Sequence, residues 1–298
     1  MISSQSMLRA QLANNIGFIP DRMHPDQGLL PDDAPCSDCE EMLAERTARK
    51  RIYRVSDGKG NHMLIEKANG PLNYLDSNGY WRDINPHFTP GRHGIYMQAL
   101  RQPFPTRIHQ KTLESSIRVK EQWIAFNRAT RIIYSGLTDS ILTLTPLAVK
   151  AEFSEDGMRT PIEGMDMLLE YQTEKGGIKS TILLTDQSEI PGIFDYFSWQ
   201  SHMLLPEGCY IAPLSGSMEG KLWKGQLAVY DEKGEALLKI AAPLIYDAAG
   251  KVMSENYGYL FEKGENSNEY LLTLRVALDW LRSPNRKFPV RIDPRFGR

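Results

Sequence analysis

Cysteine is scarce in this chain. Three in 298 residues is an odd number and too few for a disulfide scaffold. Charge of one sign is not in excess either: 35 Lys and Arg face 37 Asp and Glu, a formal charge of −2 that argues against a nucleic-acid-coating surface, so no nucleic-acid partner is expected. No run approaches the roughly 18 continuous apolar residues of a spanning helix, so no membrane span is expected. Within Met1–Pro20, Gln5, Arg9, Gln11, Asn14 and Asn15 interrupt the apolar residues, and no secretory signal of the usual kind is read there. The sequence lacks a G-x-S-x-G elbow, a G-x-x-x-x-G-K-S/T loop, a strand–G-x-G-x-x-G–helix unit, a second C-x-x-C and an H-x-x-x-H pair. Nucleophile-elbow hydrolysis, nucleotide binding and a four-ligand zinc site are therefore unsupported, and no cofactor is expected.

Apolar residues make up 41% and charged residues 24%, the usage of a folding globular chain rather than a disordered or coiled-coil one. Residues 20–36 hold four prolines, and the segment 1–36 reads as an extended arm. Over 37–50, Ser37 or Asp38 can cap free amides, acidic residues crowd the first turn, and Arg46, Arg49 and Lys50 crowd the last. That pattern predicts one short helix.

From Arg51 onward the texture is all-β. Short β-branched and aromatic runs, such as Ser140–Thr145, Lys179–Leu184 and Glu269–Val276, alternate with Gly, Asn, Asp and Pro clusters at intervals of roughly 8–12 residues. One large antiparallel β-sandwich or two consecutive ones are expected. A soft boundary near Thr145–Gly164 would divide 51–150 from 151–298, with one continuous domain as the alternative. An apolar residue followed by D-x-x-G recurs at Asp76–Gly79, Asp231–Gly234 and Asp247–Gly250, with Asp57–Gly60 as a relative. Asp accepts turn amides and Gly adopts the left-handed conformation, so each is read as a hairpin tip.

Candidate chemistry is sparse. Cys36 and Cys39 form a C-x-x-C pair, read first as a local structural element (a disulfide or packed thiols), then as metal ligands, then as a redox pair. Cys209 reads as a half-buried core residue. Asp186, Glu189 and Asp195 lie beside aromatics in Thr185–Trp199 and are the candidate carboxylates of a glycoside hydrolase. Strand alternation puts Phe194 and Tyr196 on one face and Phe197 and Trp199 on the other. Tyr196 and Trp199 are the candidate carbohydrate-platform residues.

The last fifty residues carry a resemblance. Pro243, Tyr246, Asp247 and Gly250, then Trp280-Leu281, Arg286, Phe288-Pro289-Val290 and Ile292-Asp293-Pro294, match a P-x-x-Y-D-x-x-G … W-L-x-x-x-x-R-x-F/Y-P-V-x-I-D-P pattern. This resembles the ending of β-rich modules in large secreted bacterial surface proteins of the Rhs/YD-repeat-associated and DNRLRE types. Tyr74, Asp76, Gly79, Trp81 and Ile84 resemble the opening of the same modules, and the C-x-x-C segment resembles the start of such regions in type IX-exported proteins of Bacteroidetes. The resemblance implies an extracellular, non-catalytic structural and interaction module whose partners are neighbouring domains or surface proteins. It gives Cys36, Cys39, Trp81, Trp280 and Asp293 structural roles and no residue a catalytic one. The closing motif stands four residues before Arg298, which gives the chain the length of a module. A carbohydrate-binding module and a carboxylate-dependent glycoside hydrolase are the alternatives.

Overall fold

The computed structural model describes residues 34–297 except 37–38, 57–60, 70, 77, 92, 137–139 and 188–189. Most of the expected arm, the expected caps Ser37 and Asp38, the Asp57–Gly60 tip and Glu189 lie outside the described residues. The chain is nearly all β and divides into two compact units. The smaller runs to Asn85 and includes Arg101–Pro103; the larger comprises Pro86–Leu100 and Phe104 onward.

The smaller unit has a three-stranded sheet of Cys39–Glu41, Lys50–Ser56 and Asn61–Lys67, and a hairpin of Asn73–Leu75 with Trp81–Asp83. The helix expected over 37–50 is not formed. Cys39–Glu41 is a strand paired with Tyr53–Val55, Leu43–Glu45 is a single 3-10 turn, and Lys50 opens the next strand. The acidic and basic residues that read as helix-dipole partners are instead partners of one another in space. Arg46 grips Glu41 at 2.5 and 2.6 Å and reaches Asp83 at 3.1 Å, while Arg51 meets Asp83 at 3.3 Å, Glu66 at 3.4 Å and Asn73 at 3.0 Å. Arg46 and Arg51 are buried, and a buried charge is tolerated only when paired and hydrogen-bonded. This pairing outweighs a helix preference of tenths of a kcal/mol per residue. Burial raises the Glu41 pKa, with Arg46 opposing it. Trp81 is half-buried, and its carbonyl accepts a hydrogen bond from Arg46.

The larger unit is a sandwich of two antiparallel sheets. In one, Gln122–Ser135 lies centrally, flanked by Ser115–Val119 and Ile141–Leu144 on one side and Tyr196–Leu204 on the other. Beyond Tyr196–Leu204 follow Glu269–Ala277 and Tyr257–Lys263. The second sheet contains Gly157–Pro161, Met167–Glu174, Gly177–Leu184, Gln226–Tyr230 and Ala236–Ile240. Strands before and after residue 150 thus interleave, and Thr145–Gly164 lies inside this unit; the division falls at residue 85. Alternate residues of each strand face a shared core. Ile124, Phe126, Ile132, Phe197 and Val276 of the first sheet meet Leu169, Ile182, Leu227, Ile240 and Ile292 of the second.

The chain end occupies the middle of the second sheet. Val290–Asp293 pairs with Ile182–Leu184 and with Leu244–Tyr246, and Arg295–Gly297 pairs with Gly177–Lys179 and with Lys239–Ile240. Gly177 makes the seat possible, because a Cβ there would overlap the Phe296 carbonyl. The Phe296 ring stacks on Phe126 of the opposite sheet at 4.2 Å. The helix Leu278–Arg282 buries Leu278 and Leu281 and leaves Trp280 only partly covered; no helix was expected there. Among the described residues no helix is long and apolar enough to cross a membrane.

Phe296→Ala should cost about 3–5 kcal/mol in denaturant unfolding. Ile193→Ala, at a side chain 74% exposed, should stay within about 0.5 kcal/mol. Equal effects would contradict the placement of the closing strand in the core.

Candidate functional site

The two halves of the closing motif, some forty residues apart, meet. Asp247 accepts the amides of Ala249 and Lys251 on Oδ1, at 3.0 and 2.9 Å, and on Oδ2 it accepts Arg286 Nη1 at 3.0 Å and the Lys287 amide at 3.3 Å. Arg286 donates from Nε to the Trp280 carbonyl at 3.1 Å, and its guanidinium lies 3.3 Å from the Trp280 ring centroid. Asp293 is buried and accepts Thr181 Oγ1 at 2.6 Å and the Tyr246 hydroxyl at 3.1 Å, with Lys179 Nζ at 2.8 Å. Every polar side chain in this set is engaged by another part of the fold.

The three described D-x-x-G tips share one geometry. Asp76, Asp231 and Asp247 each accept two turn amides, and Gly79, Gly234 and Gly250 have φ of 83°, 77° and 78°. Burial opposes the Asp247 charge, but the Lys251 and Lys287 amides, Arg286 and the Ala249 amide together hold its pKa below the usual carboxylate value. Asp76 is lowered in the same way by Tyr80, Arg82 and Asn78 against burial, and Asp231 chiefly by the Glu235 amide.

Tyr196 and Trp199 do not form a platform. They stand three residues apart in one strand, an odd spacing that sends them to opposite faces. Trp199 is in the core with Phe197, and only Tyr196 faces outward, with the Arg275 guanidinium 5.2 Å from its ring. Phe194 is also buried, tilted against Tyr134 ahead of the strand. Of the candidate carboxylates, Asp186 is exposed and Asp195 lines a cavity of about 480 Å³ with Tyr196, Glu219, Asn256 and Asp279. Glu219 comes from the short strand Met218–Glu219 and Asp279 from the helix Leu278–Arg282 rather than from the expected stretch. Glu219 is ion-paired with Lys224 and accepts the Asn256 amide, and Asp279 sits in the first turn of the short helix.

A second outward face carries residues that no sequence pattern marked. Pairing of Tyr96 with His109, Arg107 with Ser116 and Arg118 with Trp123 brings these side chains to one side of the first sheet. The Arg107 guanidinium lies 4.5 Å from the Tyr96 ring centroid and 4.0 Å from that of Trp123; Arg118 is 5.9 Å from Trp123. His109 meets Tyr96 edge-on at 5.0 Å. The register had to be known to find this set, because the residues are scattered over four strands.

Cys36 and Cys39 are joined by a disulfide, while Cys209 is a buried free thiol whose pKa is raised by burial and by Asp231 and Glu232. Among the described residues no group of three or more His, Cys, Asp or Glu is arranged to hold a metal.

No family model matches the chain, and no solved structure matches it. Curated relatives match over one stretch. The tRNA nuclease WapA of Bacillus subtilis strain 168, the tRNA3(Ser)-specific nuclease WapA of Bacillus spizizenii and the tRNA(Glu)-specific nuclease WapA of Bacillus subtilis subsp. natto are each 36% identical over 76 residues. The stretch is 24% of this chain and spans 3% of each relative.

The Asp247 lock has a defined pH dependence. Its folded-state pKa is depressed, so its stabilisation is complete above the unfolded value of about 3.9 and is lost as pH falls through the folded value. Asp247→Asn should lower the unfolding midpoint at neutral pH, and the gap from the parent should narrow below about pH 4. A gap that stays constant with pH would contradict the charged lock.

Proposed function

We propose that this chain is a non-catalytic structural and interaction module of a larger secreted or cell-surface bacterial protein, of the Rhs/YD-repeat-associated kind that its closing motif resembles. The observation that carries the reading is the closing motif itself. Tyr246, Asp247, Trp280, Arg286 and Asp293 are engaged with one another or with neighbouring strands, which is the arrangement of a folding motif and not of a site presented to substrate. The nucleases that match this chain do so over 3% of their length, and two of them are named for different tRNAs. Their activity on tRNA is not carried over. The partners proposed are neighbouring domains of the same polypeptide or other surface proteins, in an extracellular setting.

The glycoside hydrolase alternative has less support. Asp195 lines a cavity and Asp186 is exposed, while Glu189 lies outside the described residues, and the Glu219 carboxylate that shares the cavity with Asp195 is already ion-paired with Lys224. A retaining or inverting mechanism needs two facing carboxyl groups available to one sugar.

Purified chain incubated with tRNA and with soluble polysaccharides should give no cleavage above buffer. Cleavage that Asp195→Asn abolishes would overturn the non-catalytic reading.

A further inference from the structure

We propose that the outward face formed by Tyr96, Arg107, Arg118 and Trp123 is a binding site for an acidic polysaccharide, with Arg107 as the anion-recognising group. This deepens the interaction-module reading and rests on it.

Arg107 is held without a counter-charge. Among the described residues no carboxylate pairs with it, while Glu114 is committed to Arg128 at 2.8 Å and Glu121 stands 3.9 Å from Arg118. The Arg107 Nε is buried against the sheet with no hydrogen-bond acceptor. The Tyr96 and Trp123 rings lie within stacking distance of the guanidinium, which fixes the group and covers its surfaces. What remains for a ligand is the guanidinium's edge, whose paired N–H groups match the two oxygens of a carboxylate or sulfate. A guanidinium pre-organised in this way loses little side-chain entropy on binding.

The rings select the carrier of the anion. Tyr96 and Trp123 are each only partly buried, so each keeps an apolar edge to pack against the C–H faces of a sugar. Arg118, with 38% of its side chain exposed, supplies a second cation beside Trp123, and His109 extends the face past Tyr96. Two cations spaced by aromatic rings suit a polymer with one charge per sugar unit. They do not suit the dense charge of a nucleic-acid backbone.

The test is affinity electrophoresis and calorimetry of the full chain with polygalacturonate, with a neutral β-glucan and a single-stranded RNA homopolymer as the other arms. The expected result is binding to polygalacturonate that weakens with salt, is absent with the neutral glucan, and falls at least tenfold in Arg107→Met. Because Arg107→Met also removes packing, Arg118→Met, at a side chain 38% exposed, provides a second reading and should lower affinity several-fold with an unchanged unfolding midpoint. No binding by the folded parent chain, equal binding to the neutral glucan, or binding unaffected by both variants overturns the proposal and leaves the non-catalytic reading standing. Tighter binding to RNA that Arg107→Met abolishes overturns it in favour of a nucleic-acid face. Cleavage of polygalacturonate would instead overturn the non-catalytic reading.

Discussion

The larger unit depends on where its last ten residues go. Val290–Asp293 and Arg295–Gly297 lie between Gly177–Leu184 on one side and strands from the 236–246 region on the other, so the second sheet is in two parts without them. Long-range pairing of this kind gains little until the whole loop has closed. The groups that hold the segment in place are correspondingly strong. A buried Asp293 receives a hydroxyl from each flanking strand together with the Lys179 ammonium, and Phe296 stacks across the core on Phe126.

The same fact bears on function. Aspartates, an arginine and a tryptophan in a compact pattern resemble the parts of an active site, but here each has a partner inside the fold. Asp247 caps its own hairpin and holds Arg286, and Arg286 lies against Trp280. The proposed interaction would fall to surfaces whose polar groups lack such partners among the described residues. The Arg107 face, built on the outward side of the first sheet, is the clearest of these. The smaller unit rests on a different principle. Its interior is a set of ion pairs around Arg46 and Arg51 with few apolar side chains, so its specificity comes from matching charges.

Legibility in the sequence followed the range of the interactions. Strands such as Lys179–Leu184 and hairpin tips such as Asp231–Gly234 are set by neighbours within a few residues, and their residue types announce them. The segment 37–50 misleads because Glu41 and Arg46 have helix-like positions, while their bidentate pair and its contact with Asp83 are visible only in space. The five-residue helix at Leu278–Arg282 is too short for a periodic signal. Tyr196 and Trp199 were grouped by aromatic content although their spacing separates their faces. The Tyr96, Arg107 and Trp123 set depends on cross-strand register, which no local pattern encodes.

The central claim is that the closing segment completes the fold rather than decorating it. The most direct measurement is equilibrium unfolding, followed by tryptophan fluorescence and far-UV circular dichroism, of a chain ending at Lys287. The account predicts no cooperative transition for the larger unit and its recovery when a peptide of residues 288–298 is added in trans. A truncated chain that unfolds cooperatively with the parent's midpoint would contradict it.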